Sequence, residues 1–139
     1  MEIKYNKAEQ YDQVINLHKQ IFNENNIGFF NNLQTKNYYK TFVATQGNKV
    51  VAYCIISEIL DEAEIINIAT DKDFRQHNIA SHLLKYSLNN INAKTVFLEV
   101  SANNVAAKKL YEKCGFKAYA TRKKYYGDTD AILMSLQKN

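Results

Sequence analysis

One segment in the middle of the chain restricts the possible folds most strongly. Residues 65–70 and 95–100 are apolar runs rich in β-branched side chains, a composition typical of buried strands. Residues 78–88 lie between them and carry an apolar stripe at helical spacing, formed by Ile79, Leu83, Leu84 and Leu88. A strand, a helix and a second strand in this order form a right-handed crossover whose strands are parallel. The sequence therefore predicts a sheet with at least one parallel pair.

The flanking segments predict further strands and helices around this crossover. Residues 41–44 and 50–58 are apolar runs separated by a turn sequence, which predicts an antiparallel hairpin. The remaining predicted elements are an edge strand at 1–5, a helix at 8–22 capped by Asn6, one short helix within 22–40, a helix at 104–113 ended by Gly115, and strands at 117–121 and 130–136. This order implies a mixed sheet with helices on both faces.

Composition limits the classes of protein to which the chain can belong. Its 139 residues and 46% apolar content suit one folded domain over 1–139. A formal charge of +4 suits an anionic small ligand as well as RNA. Two well-separated cysteines and the lack of an HExxH motif favour a reduced protein without a metal site. The polar N-terminus and the lack of an apolar run of ~18 residues predict a cytoplasmic protein with no membrane contact.

The segment 71–80 leaves the first strand of the crossover and opens its helix, so it is a candidate anion site. Successive backbone N–H groups in such a turn, together with the positive end of the helix, can bind phosphate oxygens. An ordinary strand-to-helix loop is the alternative, because the segment lacks a glycine, the residue that lets backbone approach a phosphate closely. The residue types alone leave both interpretations open.

Three polar side chains in and after the second strand of the crossover are candidates for chemistry. Glu99 lies inside an otherwise apolar run, where a carboxylate is costly unless it is paired or faces a cavity. A solvated strand end or a partner lysine would explain it equally well. Tyr111 on the following helix is by itself more often a packing residue, and Asn104 is an ordinary N-cap.

Four linked motifs resemble those of the GNAT superfamily of N-acetyltransferases. The segment 61–70 followed by Arg75-x-x-Asn78-x-Ala80 is similar to the acetyl-CoA motif of that family, which usually reads Arg/Gln-x-x-Gly-x-Gly/Ala. Later motifs resemble the ribosomal-protein-alanine N-acetyltransferase branch, namely 98–104, Leu110-Tyr111, Gly115-Phe116, Arg122, Tyr125-Tyr126 and Asp130-Ala131 with Met134. The resemblance covers roughly residues 50–136 in order and spacing.

The resemblance implies a fold and a cosubstrate. The fold is expected to be α/β (α+β), a GNAT-like mixed, mostly antiparallel sheet of about six to seven strands with a central parallel βαβ crossover and helices on both faces. Acetyl-CoA is expected as the cosubstrate, with no metal. Its pantetheine arm would follow the strand backbone at Ile68, Ala69 and Thr70. Its diphosphate would lie mainly against main-chain N–H groups of Arg75, Gln76, His77, Asn78, Ile79, Ala80 and Ser81.

The resemblance also assigns chemical roles. Asn104 would contact the cofactor, Glu99 would be the general base and Tyr111 the general acid. Two positions depart from the family pattern. Asn78 replaces the usual glycine, although asparagine tolerates positive φ better than most residues. Ser101 stands where the alanine-acetylating branch typically has Arg, which removes a charge that could touch the acceptor.

The predicted activity is transfer of an acetyl group from acetyl-CoA to a primary amine. The expected acceptor is the α-amine of a peptide or protein N-terminus or of a free amino acid, and the expected state is a monomer or homodimer. A small-molecule amine or polyamine acetyltransferase is one alternative, and a catalytically weak acyl-CoA-binding regulatory module is another. Nucleic acid is not an expected partner, because a basic stretch such as 117–124 is usually a solvated face.

Overall fold

The structure is a computed structural model that describes residues 2–22, 28–75 and 77–138. Its strands are β1 (Lys4–Lys7), β2 (Tyr39–Gln46), β3 (Lys49–Ile59), β4 (Glu62–Thr70), β5 (Thr95–Ser101), β6 (Lys117–Tyr126) and β7 (Thr129–Gln137). Its α-helices are α1 (Asp12–Phe22), α2 (Phe29–Thr35), α3 (Ile79–Asn89) and α4 (Val105–Lys113), and a 3₁₀ turn covers Lys72–Phe74.

The strands form one mixed sheet in the order β1-β2-β3-β4-β5-β7-β6. Neighbouring strands are antiparallel except β4 and β5, which are parallel and are connected through α3. The predicted mixed, mostly antiparallel sheet with one central crossover is therefore confirmed.

Helices cover both faces of this sheet, as predicted. On one face, α3 and α4 contribute Leu83, Leu84 and Tyr111 to a core that includes the β5 side chains of Val96, Leu98 and Val100. On the other face, α1 and α2 contribute apolar side chains to a second core around Tyr53 and Ile55 of β3, namely Val14, Leu17, Phe30 and Leu33. We call these the α3/α4 face and the α1/α2 face.

The N-terminal elements differ from the sequence prediction. Asn6 does not cap a helix, because it lies within β1 and pairs with Val43 of β2. The ladder continues to the backbone N–H of Ala8, which donates to the carbonyl oxygen of Thr41 at 2.8 Å. The chain is therefore held extended beyond β1, and α1 begins only at Asp12. The C-terminal hairpin of β6 and β7 is also longer than predicted.

Candidate active site

The central feature of the sheet is a divergence between its two parallel strands. Both β4 and β5 are described in full, yet they pair only through Glu62, Ala63 and Glu64 of β4 with residues 95–97 of β5. In β4 the register against β3 skips Ile66, so this residue is a β-bulge. Bulges bend a strand and increase its twist. The later half of β4, residues 66–70, is therefore left without a partner on its β5 side.

The α3/α4 face carries a cavity of about 320 Å³ between the end of β4 and the helices α3 and α4. It is lined by Thr70, Arg75, Asn78, Ile79, Ala80, Ser81, Ala106, Lys109, Leu110 and Lys113. The lining therefore contains three cationic side chains and no carboxylate, which is the donor set of an anion site. Five of the ten lining residues, from Arg75 to Ser81, belong to the predicted phosphate segment, so the structure brings part of that segment to a cavity of suitable charge.

Thr70 contributes an unpartnered polar atom beside this cavity. Its Oγ1 is buried and has no hydrogen-bond partner among the described residues, which is unusual for a buried polar atom. The Nε–H of Arg75 donates to the main-chain oxygen of Thr70 at 3.2 Å and so fixes the arginine at the end of β4. A ligand that carries hydrogen-bonding and anionic groups fits this arrangement, as acetyl-CoA does.

Asn78 has the backbone conformation that a glycine usually takes. It precedes α3 with φ 59° and ψ 20°, in the left-handed region. Its side-chain Oδ1 accepts a hydrogen bond from Nζ of Lys113 on α4 at 3.4 Å. The turn is thus formed without glycine, and its side chain is used to link the loop to the neighbouring helix.

The other residues of the predicted phosphate segment have different environments. Gln76 lies outside the described residues. His77 is exposed, whereas Ile79 and Ser81 are buried in the first turn of α3. Asn104 caps α4, because its Oδ1 accepts the backbone N–H of Ala107 at 3.1 Å. The capping role is therefore present, and a cofactor contact by Asn104 remains a prediction.

Tyr111 lies on the α3/α4 face, in the core that α3 and α4 form with the sheet. It is only 8% exposed, and its ring is in edge contact with that of Phe116 at a centroid distance of 5.9 Å. Burial raises the pKa of its hydroxyl to about 12, with smaller contributions from the neighbouring Cys54 and Cys114 thiols. The hydroxyl consequently stays protonated throughout the physiological range and can act as a hydrogen-bond donor.

Glu99 lies on the opposite, α1/α2 face, since it alternates with Leu98 and Val100 along β5. Its Oε1 is 3.2 Å from Nη1 of Arg122 on β6, and its side chain keeps 26% exposure. The guanidinium of Arg122 also lies 5.3 Å from the ring centroid of Tyr125. The carboxylate in an apolar strand is thus explained by a partner arginine, where the sequence suggested a lysine.

Glu99 and Tyr111 therefore lie on opposite faces of the sheet. The sequence analysis did not predict that Arg122 pairs with Glu99. It also did not include Lys109 and Lys113 among the residues of the cofactor site. The two lysines are four residues apart on a predicted helix, and this spacing indicates that they lie on the same side of it.

The described part of the chain offers neither a helix that could span a membrane nor a metal-ligand cluster. No helix there has the length and apolar character of a membrane span. Within the same residues, no three side chains of His, Cys, Asp or Glu lie together as potential metal ligands.

Known proteins resemble the chain in sequence and structure. A family model described as Acetyltransferase (GNAT) family matches residues 5–116. The [ribosomal protein bS18]-alanine N-acetyltransferase of Escherichia coli (strain K12) is 38% identical over 105 residues, which are 70% of this chain and 71% of that protein. The crystal structure of the E. coli ribosomal-protein-S18-alanine N-acetyltransferase superposes with a TM-score of 0.84 over 98% of this chain and 94% of its own, at 31% identity.

Two further relatives extend this pattern. An N-alpha-acetyltransferase of Saccharolobus solfataricus is 31% identical and covers 93% of this chain and 88% of its own length. A putative streptothricin acetyltransferase from Bacillus anthracis, solved in complex with acetyl coenzyme A, has a TM-score of 0.72 at 26% identity and covers 85% of this chain and 72% of its own. These matches confirm the resemblance and the acyltransferase class inferred from the sequence. The chain therefore belongs to the acetyltransferase (GNAT) family of enzymes.

Proposed function

We propose that the protein transfers the acetyl group of acetyl-CoA to the α-amine of a peptide or protein N-terminus. The observation that carries this proposal is the divergence of β4 and β5, which leaves one edge of β4 unpaired, in a sheet that has Glu99 on one face and Tyr111 on the other. A base on one side and a hydroxyl donor on the other are the groups that amine acylation by a thioester requires. The family membership and the names of the curated relatives support the same reaction.

The donor side of the proposed site holds acetyl-CoA, which supplies an already activated acetyl thioester. Main-chain N–H groups of the turn 75–81 and the first turn of α3 would bind the diphosphate, aided by the Arg75 side chain. The backbone of Ile68, Ala69 and Thr70 would pair with the amides of the pantetheine arm, because this edge of β4 has no strand partner. A main-chain N–H near Thr70 would donate to the carbonyl oxygen as negative charge develops there.

The acceptor side centres on Glu99. An exposed ion pair such as that with Arg122 is worth only about 0.2–1 kcal/mol, so an acceptor ammonium can compete for the carboxylate. Glu99 would accept a proton from the acceptor ammonium, directly or through a water molecule, so that the neutral nitrogen can attack the thioester carbonyl. The nitrogen loses a second proton to solvent or to the departing CoA thiolate as the C–S bond breaks and the amide forms. Tyr111 would donate a hydrogen bond to the sulfur as it leaves. No protein nucleophile is needed, since binding both substrates side by side is sufficient.

The choice of an α-amine rests on the relatives, two of which are named for transfer to a ribosomal-protein alanine and to N-α positions. Ser101 follows Glu99 on the same face of β5, and its Oγ accepts the backbone N–H of Asn103 at 3.3 Å. A neutral side chain at this place would accept a wider range of peptide termini than an arginine would.

A panel of acceptors tests the proposed function. We expect acetyl-CoA to lose its acetyl group, measured as free thiol, at least about tenfold more efficiently with a short peptide than with free alanine or spermidine. Both peptides contain an internal lysine, and the matched control differs only in its formylated N-terminus. The control should be inert because its α-nitrogen is blocked. Mass spectrometry should place the acetyl group on the α-nitrogen. Preference for spermidine, or acetylation of the control at lysine, would contradict the proposal.

Asn78 provides a second test, on the donor side. Asn78→Gly keeps the left-handed turn, so CoA affinity should be unchanged or tighter. Asn78→Val places a β-branched residue at φ 59°, which costs about 1–3 kcal/mol and should lower both the melting temperature and CoA affinity. Calorimetric titration with CoA and thermal unfolding measure the two quantities. Equal CoA affinities in the Gly and Val variants would show that the turn does not shape the diphosphate site.

A further inference from the structure

Two lysines of α4, Lys109 and Lys113, lie across the cavity from Arg75 and Asn78. Neither lysine is among the site residues predicted from the sequence. Lys109 and Lys113 are one helical turn apart, so they lie on the same side of α4. Both line the 320 Å³ cavity together with Arg75 and Ser81. Lys108, which immediately precedes Lys109, lines a different cavity beside Gly115 and β6. The helix therefore presents two lysines to the proposed donor site and one away from it.

Among the residues that the structure describes, Lys109 and Lys113 have no carboxylate partner. In the described part of the chain, neither ammonium lies within 4.0 Å of a carboxylate, and Lys113 instead donates to Oδ1 of Asn78 at 3.4 Å. This hydrogen bond holds Lys113 against Asn78, which also lines the cavity. With Arg75, the cavity gathers three positive charges and no carboxylate around the unpartnered Oγ1 of Thr70. The three side chains are solvent-exposed, and together they form a positive potential that attracts an anion of matching charge.

We propose that Lys109 and Lys113 form the second half of a diphosphate site, and that they make the protein select acyl-CoA over thioesters that carry a single phosphate. The inference rests on the proposed function, because it concerns the donor of that reaction. A single phosphate, as in phosphopantetheine, can be bound by the helix N-terminus and Arg75 alone. A second phosphate adds negative charge that the two lysines are placed to neutralise from the opposite side.

The site also depends on α4 for its shape. In the usual family motif a glycine lets the backbone approach the phosphates, and here Asn78 fills that position with a side chain bound to Lys113. The lysine thus compensates in two ways, since it fixes the orientation of the Asn78 carboxamide and brings a charge to the turn.

Binding measurements on the intact protein test this proposal without relying on turnover. Calorimetry would compare wild type, the double variant Lys109→Met with Lys113→Met, and the control Lys108→Met, which removes the same kind of charge from the same helix. The ligands are CoA, 3′-dephospho-CoA and 4′-phosphopantetheine. We expect the double variant to bind CoA and 3′-dephospho-CoA about tenfold to a hundredfold more weakly, by similar factors. Binding of phosphopantetheine should change less than about threefold, and Lys108→Met should change none of the three by more than about twofold.

The salt dependence of CoA affinity is a second measurement, and a purely structural role of the lysines would not change it. The difference in CoA affinity between wild type and double variant should shrink as ionic strength rises, because exposed charges are screened. Wild-type-like CoA binding by the double variant would overturn the proposal. So would a loss confined to CoA, since it would place the lysines at the 3′-phosphate. If the wild-type protein binds none of the ligands, the proposed function itself fails, which is a distinguishable result.

Discussion

Replacing Glu99 by Gln is expected to lower kcat/KM by about 10²–10⁴ at neutral pH. The amide keeps the size of the side chain and can still bond to Arg122, but it cannot accept a proton. An α-amine with a pKa near ~7.8 is about one-seventh neutral at pH 7, so raising the pH recovers at most about sevenfold of the loss. The remainder reflects removal of the proton during attack. Steady-state kinetics with a peptide acceptor between pH 6.5 and about 9.5 would measure both parts.

A matched control separates catalysis from simple loss of charge. Glu62 lies on the neighbouring strand β4 and is exposed. Glu62→Gln removes the same charge from the sheet, and its kcat/KM should stay within about twofold of wild type. A Glu99→Gln variant with near-wild-type turnover, or one whose only change is a lower melting temperature, would remove Glu99 from the mechanism.

Tyr111→Phe is expected to lower kcat by about tenfold to a hundredfold while CoA affinity changes little. Burial raises the pKa of Tyr111 to about 12. Full proton transfer to a thiolate with a pKa near ~8.5 would then be uphill by about 5 kcal/mol. We therefore expect Tyr111 to donate a hydrogen bond to the sulfur and not its proton, and a bond to a charged group of this kind is worth about 1.5–3 kcal/mol.

The pH dependence of this effect follows from the direction of the pKa change. Because the hydroxyl stays protonated well above its usual range, wild-type activity should show no alkaline decline from Tyr111 below about pH 10, and the wild-type to variant ratio should be constant from pH 7 to that point. Tyr86→Phe, on α3 of the same face, is the control and should leave kcat unchanged. A kcat ratio near one for Tyr111→Phe would contradict the assignment.

Much of the fold was predictable because its signals are local. The apolar runs and the helical stripe of residues 65–100 define the crossover, and the left-handed turn at Asn78 was expected from the family pattern and found. The start of α1 was not predictable, because pairing of β1 with β2 decides how far the extended chain continues. Local capping preference gave no information on that long-range pairing.

The site was only partly predictable, for a related reason. Glu99 and Tyr111 were identified through motifs, but their placement on opposite faces depends on how β4 and β5 diverge, which a bulge at Ile66 helps to produce. The ion pair between Glu99 and Arg122 connects β5 with β6, and β7 lies between these two strands in the sheet. The lysines of α4 become part of a site only once the packing of α4 against α3 is known. Each of these features is tertiary and leaves little trace in neighbouring residues.

A structure of the protein with bound acetyl-CoA tests the central claim most directly. We expect the diphosphate against residues 75–81, the pantetheine arm along the free edge of β4 at Ile68 to Thr70, and the sulfur within hydrogen-bond distance of the Tyr111 hydroxyl. The acetyl carbon should be accessible from the α1/α2 face beside Glu99. Acetyl-CoA bound elsewhere, or with its thioester remote from the point where β4 and β5 separate, would contradict the account.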